Sequence, residues 1–341
     1  MSEKLLEVED LHVQFATEDG LVRAVDGVSF ELERGKVLGI VGESGSGKSV
    51  TAMTLLGLTR GVNAKFEGKI EYKGESLLRM SETGLRRFRG NEIAMIFQDP
   101  MTSLNPVYRV GAQISEAIRT HEDVNKQTAR NRAVQLLRQV GIPHPEERVD
   151  DYPHQFSGGM RQRAMIAMAL ANNPDILIAD EPTTALDVTI QAQIIELIDR
   201  LKDDFNSSVI LITHDLGVVA DIADDIAVMY AGRIVEYGTQ RQVFYDPQHP
   251  YTWGLLGSIP RLDRDKPEKL ASIAGAPPSL INLPQGCKFR PRCPHAFAKC
   301  MDHPPLENRV GDSPPHLDRC WLTVEEKRDL RELTIHGEAA A

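Results

Sequence analysis

An α/β fold with a mainly parallel sheet core is what the sequence predicts. Val37-Leu38-Gly39-Ile40-Val41, Ile176-Leu177-Ile178-Ala179 and Val209-Ile210-Leu211-Ile212 are short apolar runs without polar alternation, as in strands buried on both faces. Helical patterns lie among them, at Ser49 to Leu58, Ala129 to Val140, Gly159 to Ala171 and Ile190 to Phe205, and such alternation builds parallel sheets. With 341 residues, 41% of them hydrophobic, the chain can form two folding units with a real core.

At the start, Leu5, Glu7, Glu9, Leu11, Val13 and Phe15 share one parity and Asp19-Gly20 follows, which predicts an antiparallel hairpin. Val25 to Leu32 reads as a further strand before the Arg34-Gly35 turn, giving an antiparallel β subdomain. From about Asp99 to Phe156 no buried-strand run occurs, so a helical insertion over about 99–160 is expected. After about Pro260 the composition turns Pro-rich, with Pro277-Pro278, Pro304-Pro305 and Pro314-Pro315 among others. Proline fixes φ and removes a backbone donor, so an irregular C-terminal extension is expected there. The expected division is therefore 1–260 and 261–341, with Gly337 to Ala341 frayed.

Lysine and arginine number 39 against 49 acidic residues, a formal net charge of −10. Such a surface repels phosphate backbones and argues against nucleic acid as a partner. The longest apolar run, Ala164 to Ala171, has eight residues, where a membrane span needs about 20. The opening Met1-Ser2-Glu3-Lys4 lacks the basic start and apolar core of a secretory signal, so a cytoplasmic location is expected.

Directly after the first buried run comes Gly42-Glu43-Ser44-Gly45-Ser46-Gly47-Lys48-Ser49, a full P-loop pattern opening a helix. Its glycines let successive N–H groups face a phosphate, and the helix start adds partial positive charge. Lys48 is then placed to reach the β- and γ-phosphates and Ser49 to ligate Mg²⁺. The second run ends in Asp180-Glu181, two carboxylates at the carboxyl end of a strand, where open α/β sheets bind ligands. Asp180 suits Mg²⁺ through water, and Glu181 suits a general base on the water attacking the γ-phosphate. Ser157-Gly158-Gly159 opens another helix and is a second anion site by the same physics. One γ-phosphate does not need two cradles in one chain, whereas a face-to-face dimer uses both.

These motifs, with Gln98 after Ile93 to Phe97, Ala185-Leu186-Asp187, and His214 after the third run, stand in an order that resembles the ATP-binding subunits of ABC transporters. The resemblance spans Phe15 to about Gly238 and implies a P-loop NTPase cassette that binds ATP and Mg²⁺. It implies that Glu181, His214 and Gln98 are catalytic, and that Ser49, Gln98 and Asp180 hold Mg²⁺. Gly42, Ser44, Gly45, Ser46, Gly47, Lys48, Ser49 and Val50 would contact nucleotide, with Phe15 stacked on adenine. Ser157, Gly158, Gly159 and Asp187 would serve across a dimer. The family's common signature reads Leu-Ser-Gly-Gly-Gln; Phe156 and Met160 depart from it, while the phosphate-facing residues are kept. Taken alone, Phe15 reads equally as core, His214 as a cap and Asp180-Glu181 as an acidic turn.

All four cysteines lie late, at Cys287, Cys293, Cys300 and Cys320. In a reducing compartment such clustering favours metal ligation or redox chemistry over structural disulfides, and the spacings match neither a paired zinc ribbon nor a ferredoxin run. Lys288, Arg290, Arg292 and Lys299 lie in the same stretch, available to offset thiolate charge. His249-Pro250-Tyr251-Thr252 and the run from Leu283 to Pro294 resemble the extension of di- and oligopeptide import ATPases. That resemblance implies a [4Fe–4S] cluster on the four cysteines, with Zn²⁺ as the alternative. It also implies two transmembrane permease subunits docking near Gln98 to Val110, and a second ABC ATPase subunit, identical or related. An extracytoplasmic solute-binding protein would act indirectly, and the complex would sit at the cytoplasmic face of the inner membrane, this chain peripheral to it. Nickel or another small solute is the competing cargo. The competing classes are a soluble mechanochemical ABC ATPase, for which no long coiled-coil insert is present, and a redox- or iron-sensing regulator.

Overall fold

The computed structural model describes residues 3–184, 186–259 and 273–336. The expected boundary at 260/261, the frayed end and Ala185 lie outside the described residues. The chain divides into two units: one gathers Leu32–Val37 and Arg79–Ile212 with the first residues through Leu5, and the other gathers Leu6–Glu31, Leu38–Leu78 and Thr213–Ala341.

In the first unit the Ile93–Ile96, Ile176–Asp180 and Ser208–Thr213 strands run parallel, with Ile178 opposite Met95 on one side and Ile210 on the other. Every residue of these strands is buried, which is why their sequences show no polar alternation. The Val188–Phe205 helix buries Ile194, Ile195, Leu197, Ile198 and Leu201, one stripe at helical spacing. Between the strands lies the helical insertion, with helices at Pro100–Ser103, Val110–His121, Lys126–Gln139 and Pro145–Arg148. Asn125 caps the third of these by accepting the Thr128 N–H at 2.8 Å.

The second unit holds an antiparallel sheet with strand order Gly20–Glu33, Lys4–Thr17, Ala64–Tyr72, Glu75–Ser76. The expected hairpin is its first pair. Val37–Val41 runs parallel to Asp225–Tyr230, which pairs antiparallel with Arg233–Thr239. The extension is more regular than its proline content suggests. Leu317–Asp318 adds to the edge of Arg233–Thr239, Glu236 facing Asp318, and the Val324–His336 helix packs on the Pro250–Gly257 helix. A buried polar knot fastens this end: Glu236 accepts the Gln248 and His249 N–H groups at 2.6 and 2.9 Å and bonds His316 Nε2 at 2.8 Å. Beside it the buried Lys327 amine donates to Asp318 at 2.7 Å.

Candidate functional site

The phosphate loop leaves a fully buried strand and enters the Lys48–Leu55 helix. Gly42 has φ 153°, and a Cβ there would stand 2.2 Å from the Met229 carbonyl oxygen; Gly47, at φ 100°, would meet the Ala24 carbonyl at 2.3 Å. Only glycine satisfies both the turn and the close approach. Gly47 is the N-cap and supplies no side-chain acceptor, so the helix start keeps N–H groups for an anion. The Lys48 side chain folds back over the loop, donating to the Gly42 and Glu43 carbonyls at 2.7 and 3.0 Å. Ser46 Oγ is buried and finds no hydrogen-bond partner among the described residues, an acceptor-donor held ready beside the loop. Ser44 and Gly45 are exposed, and Ser49 and Val50 are half-buried at the helix start.

In the same unit, Phe15 is half-buried near the end of its strand, opposite Ala64. His214 is exposed just past the Ser208–Thr213 strand, followed by Asp215, which caps the next short helix through Gly217 N–H at 2.8 Å.

In the other unit the acidic strand end is built around Glu181. Its φ of 46° lies in the left-handed region, a costly conformation for a side-chain-bearing residue. The Glu181 N–H is tied to the Ile212 carbonyl at 2.8 Å. Its carboxylate Oε2 accepts from Gln98 Nε2 at 3.0 Å and from Thr184 Oγ1 at 2.8 Å. The structure thus brings Gln98 and Glu181 together, and adds Thr184, which motif reading passes over. Asp180 is buried beside them in sequence, at the last position of its strand. Ser157 caps the Gly158–Ala169 helix, its Oγ accepting the Met160 N–H at 3.3 Å. The departing Phe156 is buried as an apolar anchor, while Ser157 and Gly158 are exposed. Asp187 is exposed at the N-terminus of the Val188–Phe205 helix.

The loop after Gln98 presents apolar side chains to solvent: Met101, Val107 and Tyr108 are 56%, 71% and 58% exposed. It is nonetheless firmly held. Buried Gln113 accepts the Asn105 N–H at 2.9 Å and donates to the Asn105 and Tyr108 carbonyls, both at 3.0 Å.

Cys287, Cys293, Cys300 and Cys320 border one common cavity in the second unit, with Arg290 and His295 also on its wall. None is in a disulfide. Gly286 makes the arrangement possible: at φ 73° it brings the Cys287 N–H to the Cys300 carbonyl at 3.0 Å, and a Cβ there would stand 2.3 Å from that same oxygen. Burial raises the thiols, Cys287 upward, Cys293 to about 11 and Cys320 to about 12. Cations must therefore displace protons to bind. Of the four basic residues expected to offset charge, only Arg290 faces the cavity. Lys299 lies over the Trp321 ring at 4.1 Å, Lys288 bonds the Pro284 carbonyl at 3.2 Å, and Arg292 is taken by Glu43. Among the described residues, no three of His, Cys, Asp and Glu form a group that could hold a metal ion.

Residues 25–184 match the family described as ABC transporter, and residues 235–300 the one described as oligopeptide/dipeptide transporter, C-terminal region. The chain is 54% identical to the dipeptide transport ATP-binding protein DppD of Bacillus subtilis, over 94% of this chain and 95% of that one. It is 54% identical to the oligopeptide transport ATP-binding protein OppD of Salmonella typhimurium, again over 94% and 95%. Its fold is similar to the dimeric ATP-binding cassette MJ0796 bound to ADP and Pi, with TM-score 0.62 and 25% identity over 69% of this chain and 99% of that one. The cassette fold expected from the motifs is thereby the one found.

Proposed function

The chain belongs to the ATP-binding subunits of the dipeptide and oligopeptide ABC transporters, and from that premise we propose how its residues carry out the work. It hydrolyses ATP to drive peptide import. The loop N–H groups of 42–48 and the Lys48 amine bind the phosphates, and Lys48 exchanges its carbonyl partners for them. Ser49, Asp180 and Gln98 would hold Mg²⁺, which would supply charge neutralisation at the phosphates. Glu181 takes the proton from the attacking water, and Gln98 and Thr184 keep its carboxylate oriented. His214 bonds the γ-phosphate and Phe15 stacks on the base. Ser157, Gly158, Gly159 and Asp187 serve the nucleotide of a second cassette, identical or related.

The observation that carries this reading is the Gln98–Glu181 hydrogen bond at 3.0 Å, with Glu181 fixed in a strained conformation that aims its carboxylate. Glu181→Gln tests it. The variant is expected to bind ATP, lose turnover by at least about 10²-fold, and accumulate as an ATP-bound dimer in gel filtration. Turnover near that of the parent removes Glu181 as the base.

The exposed, well-braced loop carrying Met101, Val107 and Tyr108 is the docking face for two permease subunits. Among the described residues no helix is long and apolar enough to cross a membrane, consistent with a peripheral place on the cytoplasmic face of the inner membrane. A solute-binding protein on the other side delivers cargo to the permeases, not to this chain. The cassette occupies 1–260 and the extension 261–341.

The four cysteines hold a [4Fe–4S] cluster. What supports a shared group is that the four thiols border one cavity. Arg290 Nε and His295 Nε2 are buried on that cavity wall and find no partner among the described residues, so both suit hydrogen bonds to an electron-rich sulfur group. Anaerobic isolation followed by absorption spectroscopy and iron, sulfide and zinc analysis decides between the two metals. About four iron and four sulfide per chain support the cluster, and stoichiometric zinc replaces it.

A further inference from the structure

Glu43 lies in the phosphate loop and Arg292 lies in the extension, 249 positions away. Their side chains form a two-point ion pair, Arg292 Nη1 to Glu43 Oε2 at 2.5 Å and Nη2 to Oε1 at 2.9 Å. The Arg292 side chain is only 4% exposed. Its guanidinium also donates to the Ala274 and Ile273 carbonyls at 3.0 and 3.2 Å and reaches the Tyr230 hydroxyl at 3.4 Å. A planar donor set used this fully allows one orientation, and lysine cannot reproduce it.

Glu43 is held from the backbone as well. Its N–H donates to the Tyr251 hydroxyl at 2.8 Å, and its carbonyl accepts the Lys48 amine at 3.0 Å. Tyr230, Tyr251 and Phe289 pack against one another with ring centroids 4.7 to 5.4 Å apart. Phe289 and Arg292 both belong to the segment bounded by Cys287 and Cys293. One residue of that segment thus grips the Glu43 side chain, in a loop that must hold its N–H groups in place before nucleotide arrives. Ordering such a loop in advance lowers the entropic cost of binding.

We propose that Arg292 is a positioning residue for nucleotide binding: through Glu43 it holds the phosphate loop in its binding shape.

The test is a double-mutant cycle on the full chain purified anaerobically, with Glu43→Gln, Arg292→Gln, their combination and Arg292→Lys. Equilibrium binding of a fluorescent ATP analogue with Mg²⁺ is read beside the melting temperature. Each single Gln variant is expected to bind about five- to tenfold more weakly, the combination no worse than either, and Arg292→Lys in between, as for residues acting through one contact. Variants that lose melting temperature but bind nucleotide like the parent overturn the positioning role.

Discussion

Gln98 Nε2 donates to Glu181 Oε2 across 3.0 Å, although 83 positions separate the two residues. Thr184 Oγ1 holds the same oxygen at 2.8 Å, so two donors orient the carboxylate. Gln98→Ala is expected to leave ATP affinity within about twofold and to lower kcat by on the order of tenfold or more, the cost of losing orientation at the reacting atoms. Thr184→Val should act in the same direction and less strongly. Phosphate-release kinetics beside equilibrium nucleotide binding separate the two effects, and an unchanged kcat for both variants would show that the pair does not position the base.

The glycines of the phosphate loop are not equivalent. A Cβ on Gly47 meets the Ala24 carbonyl oxygen at 2.3 Å, whereas Gly45, at φ 77°, has nothing within 4 Å of that position. Gly47→Ala should abolish saturable ATP binding and lower the melting temperature, because backbone must move. Gly45→Ala pays only the left-handed conformation, about 1–2 kcal/mol, and should stay folded. Equal melting temperatures for the two variants would contradict the steric argument.

Motif spacing found the parts of the site that chemistry requires in a fixed order: the loop 42–49, the carboxylates 180–181 and the Ser157 turn. It found the three parallel strands because burial on both faces erases alternation. The Ala64–Tyr72 strand escaped it because the pairing register slips between Glu9 and His12, and Gly68 packs against the Asp10 carbonyl there, which breaks the period of two. The Asp225–Tyr230 and Arg233–Thr239 strands carry no adjoining motif to draw attention to them. Contacts such as Glu43 with Arg292 were invisible for a different reason: sequence shows which residues are charged, not which meet across 249 positions. The same holds for the basic residues near the cysteines: proximity in sequence suggested charge compensation, yet only Arg290 of the four lines the cavity.

Gly286 is the hinge on which the cysteine cavity closes. A Cβ at this position would stand 2.3 Å from the Cys300 carbonyl oxygen and 2.4 Å from the Met301 carbonyl oxygen, and φ is 73°. If the cysteines hold metal as proposed, Gly286→Ala should separate Cys287 from Cys300 and reduce bound metal severalfold, while the cassette remains folded. Metal analysis and circular dichroism on the same sample check this. Retention of full metal content would mean that the loop relaxes without moving the thiol.

The Glu236–His316 pair gives stability a defined pH dependence. Both side chains are fully buried and 2.8 Å apart. Burial alone would lower the His316 pKa, but the hydrogen bond and charge of Glu236 outweigh it and hold the imidazolium above its usual value of 6.5. A folded pKa raised above the unfolded one contributes stability that is fully present below about 6.5 and is lost as pH rises through the folded value. Urea midpoints should therefore fall between pH 6.5 and pH 9. In His316→Gln the amide still donates to Glu236 but cannot titrate, so that slope should flatten, with lower stability at pH 6, where the parent imidazolium is present. Breaking a buried pair costs about 3–5 kcal/mol when one partner is simply deleted; the Gln variant should lose less, because the Gln248 and His249 N–H groups still satisfy the carboxylate at 2.6 and 2.9 Å. An unchanged slope in the variant would mean that His316 is neutral in the folded protein throughout this range.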